Sequence, residues 1–104
     1  MRIHDIQDED GRIQAFEVPT TFLDRRALRQ IVQAIPGATL LAYRPYKERL
    51  CEFKVGGVPF LVHEHWGESD RYWVGPAEAG WCPQLAVIRE TFARARPFLW
   101  FVRF

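Results

Sequence analysis

Apolar and polar residues alternate on both sides of Gly56-Gly57, and this pattern predicts a β-hairpin with a two-residue turn. Counting outward from the turn places four pairs on one face: Val55 with Val58, Phe53 with Phe60, Cys51 with Val62, and Arg49 with Glu64. The other face pairs Lys54 with Pro59, Glu52 with Leu61, Leu50 with His63, and Glu48 with His65. Because the first face is apolar at three successive pairs, we expect it to lie in the core and the other face to be partly solvated.

Two other segments have the periodicity of helices. Residues 19–37 contain an apolar stripe at positions i, i+3, i+4 and i+7, formed by Leu28, Ile31, Val32 and Ile35. We expect Thr21 to cap this helix, Asp24 to lie in its first turn and Pro36-Gly37 to end it. In residues 82–96 Pro83 suits the first helical position, and the side chains expected to face inward are Leu85, Ile88, Phe92 and Ala95.

The remaining segments have the character of strands. Asp10-Gly11 predicts a turn between strands at residues 2–7 and 12–18, and further strands are predicted at 38–46 and 71–76. This order of elements favours a single α+β domain over residues 1–104. We expect an antiparallel sheet of four to six strands with two helices packed on one face.

Composition restricts the classes of partner. The chain has 104 residues and a formal net charge of +1, which gives no long-range field for a nucleic acid or an anionic membrane. The first ten residues do not resemble a signal peptide, and no apolar run is long enough to cross a membrane, so we expect a cytoplasmic protein. No cofactor is predicted, because the chain contains no phosphate-binding loop or paired CxxC motif.

His63 and His65 are the first candidate site. Residues two apart on a strand point to the same face, so both imidazoles could act beside Glu52, with Trp66 and Tyr72 as apolar walls. With a third ligand the pair could also bind Zn²⁺. However, two histidines without a third ligand at a characteristic spacing are a weak motif, and exposed strand positions accept histidine freely. We therefore predict no metal.

Three further groups of residues are candidates for a functional role. Cys82 lies at or beside the start of the second helix, where a thiolate would be favoured, but no Cys-His signature surrounds it. Cys51 falls on the predicted core face and is expected to act as a small apolar residue. The arginines at 25, 26 and 29 could bind an acidic partner or a phosphate, although arginines on a helix usually form a solvated face.

The aromatic and arginine content favours a protein-binding function. The chain has 15 aromatic residues, and 12 of its 14 cationic residues are arginines, both types that are enriched where proteins bind each other. The segment 97–104, PFLWFVRF, is expected to pair in a sheet and to offer Trp100, Phe101 and Phe104 to a second copy. We therefore predict a non-enzymatic interaction domain whose partner is a protein, a homodimer being one option. The alternative is a small-ligand or metal-dependent enzyme that uses His63 and His65.

Overall fold

An antiparallel sheet forms the centre of the molecule. The computed structural model describes residues 1–20, 23–64, 70–78 and 80–96. Its strands are β1 (His4–Gln7), β2 (Ile13–Pro19), β3 (Ala38–Tyr43), β4 (Arg49–Val55), β5 (Val58–Glu64) and β6 (Arg71–Pro76). Its helices are α1 (Arg25–Ala34) and α2 (Gln84–Arg94). The predicted α+β class is therefore confirmed.

The order of strands across the sheet is β1-β2-β6-β5-β4-β3, and every neighbouring pair is antiparallel. Helix α1 carries the chain from β2, near one edge, to β3, at the other edge. It packs over β3 and β4, whereas α2 packs over β2, and the two helices contact each other. Both helices therefore cover the same face of the sheet and leave the other face without a helix.

The core lies between the sheet and the helices. Phe53 and Phe60 stack there with ring centroids 5.7 Å apart, and Phe16 meets Phe92 of α2 edge-on at 5.4 Å. The predicted stripe of α1 is buried: Leu28, Ile31, Val32 and Ile35. Of the residues predicted to face inward from α2, three are buried and Ala95 is partly buried against the core: Leu85, Ile88 and Phe92. No charged side chain is buried in the described part of the chain.

The second hairpin confirms three of its four predicted core pairs. Val55 pairs with Val58, Phe53 with Phe60, and Cys51 with Val62. The predicted pairing of Arg49 with Glu64 is wrong, because Arg49 pairs with His63 across a shift in register. The shift falls at Leu50, which was expected on the partly solvated face and is instead fully buried next to Cys51. A bulge lets two consecutive side chains enter the core, and burying Leu50 favours it.

The ends of both helices differ slightly from the prediction. Asp24 is itself the N-cap of α1, and its Oδ1 accepts a hydrogen bond of 2.8 Å from the backbone N–H of Ala27. Thr21, the predicted cap, lies outside the described residues. Pro83 is the N-cap of α2 and not its first helical residue, a difference of one position.

The first hairpin and β3 keep their predicted places with adjusted bounds. Asp8 orders the turn between β1 and β2, because its Oδ1 accepts hydrogen bonds of 2.9 Å from the backbone N–H groups of Asp10 and Arg12. Strand β3 ends at Tyr43, three residues earlier than expected.

Neither helix in the described residues is long and apolar enough to cross a membrane.

Candidate functional site

The structure separates the residues that the sequence grouped around the histidine pair. His63 lies opposite Trp73, and its neighbour Glu64 lies opposite Tyr72, so His63 and Tyr72 point to opposite faces of the sheet. Tyr72 is 2% exposed beneath the helices, where its hydroxyl donates a hydrogen bond of 3.0 Å to the backbone carbonyl of Leu23. It therefore does not form a wall beside His63.

On the uncovered face, His63 and Glu52 have different partners. The Nε2 atom of His63 lies 3.6 Å from a carboxylate oxygen of Glu48, while Glu52 forms an ion pair with Arg44. No group of three metal-binding side chains occurs in the described part of the chain. His65 and Trp66, the other members of the predicted site, lie outside the described residues. Glu52 and Tyr72 therefore do not join His63 in the arrangement that the sequence predicted.

A groove of about 270 Å³ lies beside Trp73 on the uncovered face of the sheet. Its lining is mainly apolar: Ile6, Gln14, Ala15, Trp73, Pro76, Ala77 and Gly80. The Trp73 indole lies across Gly75, so closely that a Cβ atom at Gly75 would come within 2.6 Å of the ring. Neither His63 nor Glu52 lines this groove, although Trp73, the residue opposite His63 on the neighbouring strand, does.

The cysteines have the surroundings of structural residues. Cys51 is fully buried, and burial raises the pKa of its thiol to about 11 against the opposing effect of Arg29. It is therefore a thiol at neutral pH, as its place on the core face predicted. Cys82 is half-buried, packs against the core and precedes the N-cap of α2.

Two arginines of α1 lie differently from the prediction. The sequence placed Arg25, Arg26 and Arg29 together on a solvated face, but only Arg26 is exposed, and the other two are half-buried. Arg25 and Arg29 are one helical turn apart beside the buried stripe, so their long side chains run along the apolar surface toward the sheet. We call the surface formed by Arg25, Arg29 and Tyr43 the α1–β3 corner.

Within this corner Arg25 has a carboxylate partner. Its Nη2 lies 2.7 Å from Oε1 of Glu64, which extends from the end of β5 on the helix-covered face. The same carboxylate lies close to Tyr72: burial first, and then the charge of Glu64, raise the pKa of Tyr72 to about 12. Arg25, Glu64 and Tyr72 therefore form a connected polar group at the start of α1.

Arg29 has no such partner. Its guanidinium carbon lies 4.7 Å from the centroid of the Tyr43 ring, a cation–π contact. Its Nε atom, like that of Arg25, is buried and has no hydrogen-bond acceptor, but unlike Arg25 it forms no ion pair with a carboxylate of the described residues. Burial raises the pKa of Tyr43, while the positive charge of Arg29 acts in the opposite direction. The corner thus presents a half-buried positive charge that no carboxylate of the described residues pairs with.

The residues that flank Tyr43 along the chain add exposed apolar surface. Leu41 on β3 is 53% exposed, and Tyr46 in the following turn is 95% exposed. Arginine and tyrosine are enriched on surfaces that bind other proteins. Sequence reasoning missed this corner because it treated the three arginines as one group. Their angular positions around the helix would have separated Arg26, which points away from the stripe, from Arg25 and Arg29.

Comparison with known proteins identifies no relative of this chain: no family model, no curated protein and no solved structure matches it.

Proposed function

We propose that this chain is a non-enzymatic binding domain that holds an acidic segment of a partner protein at the α1–β3 corner. The observation that carries the proposal is Arg29, which is stacked on Tyr43 and has no acceptor or counter-charge among the described residues. An unpaired guanidinium that is half removed from water gains most from a ligand that supplies a carboxylate. Charge complementarity therefore favours an acidic partner.

The surroundings of Arg29 support a partner of protein size. Stacking on Tyr43 holds the guanidinium in place before the partner arrives, which lowers the entropy lost on binding. Leu41 and Tyr46, which lie close to Tyr43 in the sequence, supply exposed apolar area. A half-buried arginine with apolar side chains around it is typical of the hot spots of protein interfaces.

The enzyme alternative has less support from the geometry. It is favoured by one contact, the 3.6 Å approach of His63 to Glu48, which could orient an imidazole. However, Tyr72 lies on the opposite face, and Glu52 is engaged with Arg44. We therefore prefer the binding function.

The cytoplasm is the proposed location. Cys51 and Cys82 are both free thiols, as expected in a reducing compartment. A second contact, between copies of the chain, is proposed for Trp100, Phe101 and Phe104, which lie outside the described residues. Light scattering over a dilution series tests this homodimer, and a chain that stays monomeric at high concentration contradicts it.

Fluorescence anisotropy with a labelled hexaglutamate peptide tests the proposed function. We expect the peptide to bind, a matched hexalysine peptide not to bind, and affinity to fall at least about fivefold in Arg29→Gln. Arg26→Gln is the matched control, because it removes the same charge from an exposed position of the same helix. We expect this control to lower affinity by less than about twofold. Absence of hexaglutamate binding, or equal losses in the two variants, would contradict the proposal.

A further inference from the structure

We infer that the group bound at Arg29 is a single carboxylate and that the corner discriminates against phosphate. This inference rests on the proposed function and names the chemistry that the partner must supply. Two features carry it: the nitrogens of Arg29 that reach the surface, and the charged side chains around them.

The terminal amino groups of Arg29 are the donors open to a ligand. Arg29 is half-buried, and its Nε is enclosed without an acceptor, so the accessible part of the guanidinium is its outer pair of nitrogens. These two nitrogens lie at the spacing of the two oxygens of a carboxylate and can donate to both at once. Tyr43 contacts the guanidinium from one side, which restricts the movement of the side chain.

The charges around the corner favour an anion of single charge. Arg25 and Arg29 both act on Tyr43, as does the carboxylate of Asp24, and Glu64 is paired with Arg25. Asp24 serves as the N-cap of α1 and Glu64 is paired with Arg25, which leaves Arg29 as the cation of the corner without a carboxylate partner among the described residues. One carboxylate would match this charge, whereas a phosphate dianion would leave a second negative charge uncompensated.

Glu64 is therefore the residue that we expect to exclude phosphate. It neutralises Arg25, so the two arginines do not act together as a site for a doubly charged group. Replacing Glu64 by glutamine would release Arg25 while keeping the length and hydrogen-bonding capacity of the side chain. This substitution is expected to convert a carboxylate site into one that also accepts phosphate.

The experiment is an NMR titration of the Arg29 Nε–Hε signal and the Tyr43 ring signals with sodium acetate and sodium phosphate, with chloride added to keep ionic strength constant. For the wild-type chain we expect saturable shifts with acetate, with a Kd of roughly 10 to 100 mM, as suits one charge-assisted contact. Phosphate is expected to bind at least about threefold more weakly. In Arg29→Gln the acetate-dependent shifts of Tyr43 should vanish, and in Arg26→Gln they should persist. In Glu64→Gln phosphate affinity should rise on the order of tenfold.

Several outcomes would overturn the inference. They are shifts with acetate no larger than those with chloride, phosphate binding as tightly as acetate in the wild type, or no gain for phosphate in a folded Glu64→Gln variant. These results are separable from the proposed function. Hexaglutamate binding that depends on Arg29, together with a preference for phosphate, would remove the carboxylate inference alone. Acetate binding at Arg29 without any hexaglutamate binding would remove the proposed function alone.

Discussion

Arg89 on α2 and Arg29 on α1 extend toward opposite edges of the same sheet, where their side chains contact different partners. Arg89 donates from Nε and Nη2 to both oxygens of Asp5 on edge strand β1, at 2.6 and 2.9 Å. The hydrogen bond to Asp5 raises the pKa of Arg89. Arg29 reaches edge strand β3 and contacts the ring of Tyr43, and no carboxylate of the described residues pairs with it. Arg89 is therefore paired within the chain, whereas Arg29 can accept an anionic ligand.

The comparison separates structural arginines from available ones. A bidentate pair at a half-exposed site fixes the helix against the edge strand, but it contributes little free energy, since solvent screens it. The cation–π contact of Arg29 leaves its charge without a carboxylate partner among the described residues, and Arg29 therefore has more to gain from an anionic ligand. We therefore expect buried apolar side chains to hold the two helices against the sheet, and the two arginines to change the free energy of unfolding only slightly.

Replacing Phe92 by alanine should have the largest effect. Phe92 is fully buried and meets Phe16 edge-on, so its loss is expected to lower the free energy of unfolding by about 3–5 kcal/mol. Urea unfolding measures the change. Val87→Ala on the exposed side of α2 is the control and should change stability by less than about 0.5 kcal/mol. A loss from Phe92→Ala no greater than that from Arg89→Gln would show that the ion pair holds the helix.

Tyr72→Phe should have the next largest effect. The hydroxyl of Tyr72 donates to the carbonyl of Leu23 just before α1, and its removal leaves that buried carbonyl without this donor. We expect a loss of about 1 kcal/mol at neutral pH, from the same urea experiment. An unchanged midpoint would indicate that the hydrogen bond does not anchor the start of α1.

Alkaline pH should weaken the wild-type chain more than Tyr72→Phe. The pKa of Tyr72 is raised from 10.0 to about 12 in the folded chain, so the folded state holds its proton more tightly than the unfolded state. The resulting stability is present below pH 10 and is lost as the pH rises toward about 12. Urea midpoints across this range should fall less steeply for Tyr72→Phe. Parallel declines in both chains would contradict the assignment of this loss to Tyr72.

The smallest effects should come from the two arginines in the absence of a ligand. Arg89→Gln breaks the pair with Asp5 and is expected to cost about 0.5–1 kcal/mol, whereas Arg29→Gln should change stability by less than about 0.5 kcal/mol. A double-mutant cycle with Asp5→Asn tests whether the Arg89 effect belongs to the pair. If Arg29→Gln were the more destabilising of the two substitutions, its contact with Tyr43 would be structural.

Local patterns predicted much of this fold, because alternation and the Gly56-Gly57 turn act over short distances. They failed at Leu50, where burial of one more apolar side chain shifts the strand by a bulge. The insertion of β6 between β2 and β5 depends on contacts distant in sequence, which periodicity does not report.

The candidate site was predicted less well than the fold. The alternation of faces along β5 does not carry through residues 65–70 to β6, so the sequence could not show that His63 and Tyr72 lie on opposite faces. Arg29 was named as a candidate for an acidic partner, but its separation from Arg26 depends on the angle around α1. Its lack of a counter-charge is visible only in the folded chain.

The dependence of the free energy of unfolding on acetate tests most directly whether Arg29 of the α1–β3 corner binds a carboxylate. A ligand that binds only the folded state raises the free energy of unfolding, and about 200 mM acetate with a Kd near 50 mM should add about 1 kcal/mol at constant ionic strength. We expect this gain in the wild type and in Arg89→Gln, whose arginine is already paired, and no gain in Arg29→Gln. An equal gain in Arg29→Gln, or its loss in Arg89→Gln, would contradict the account.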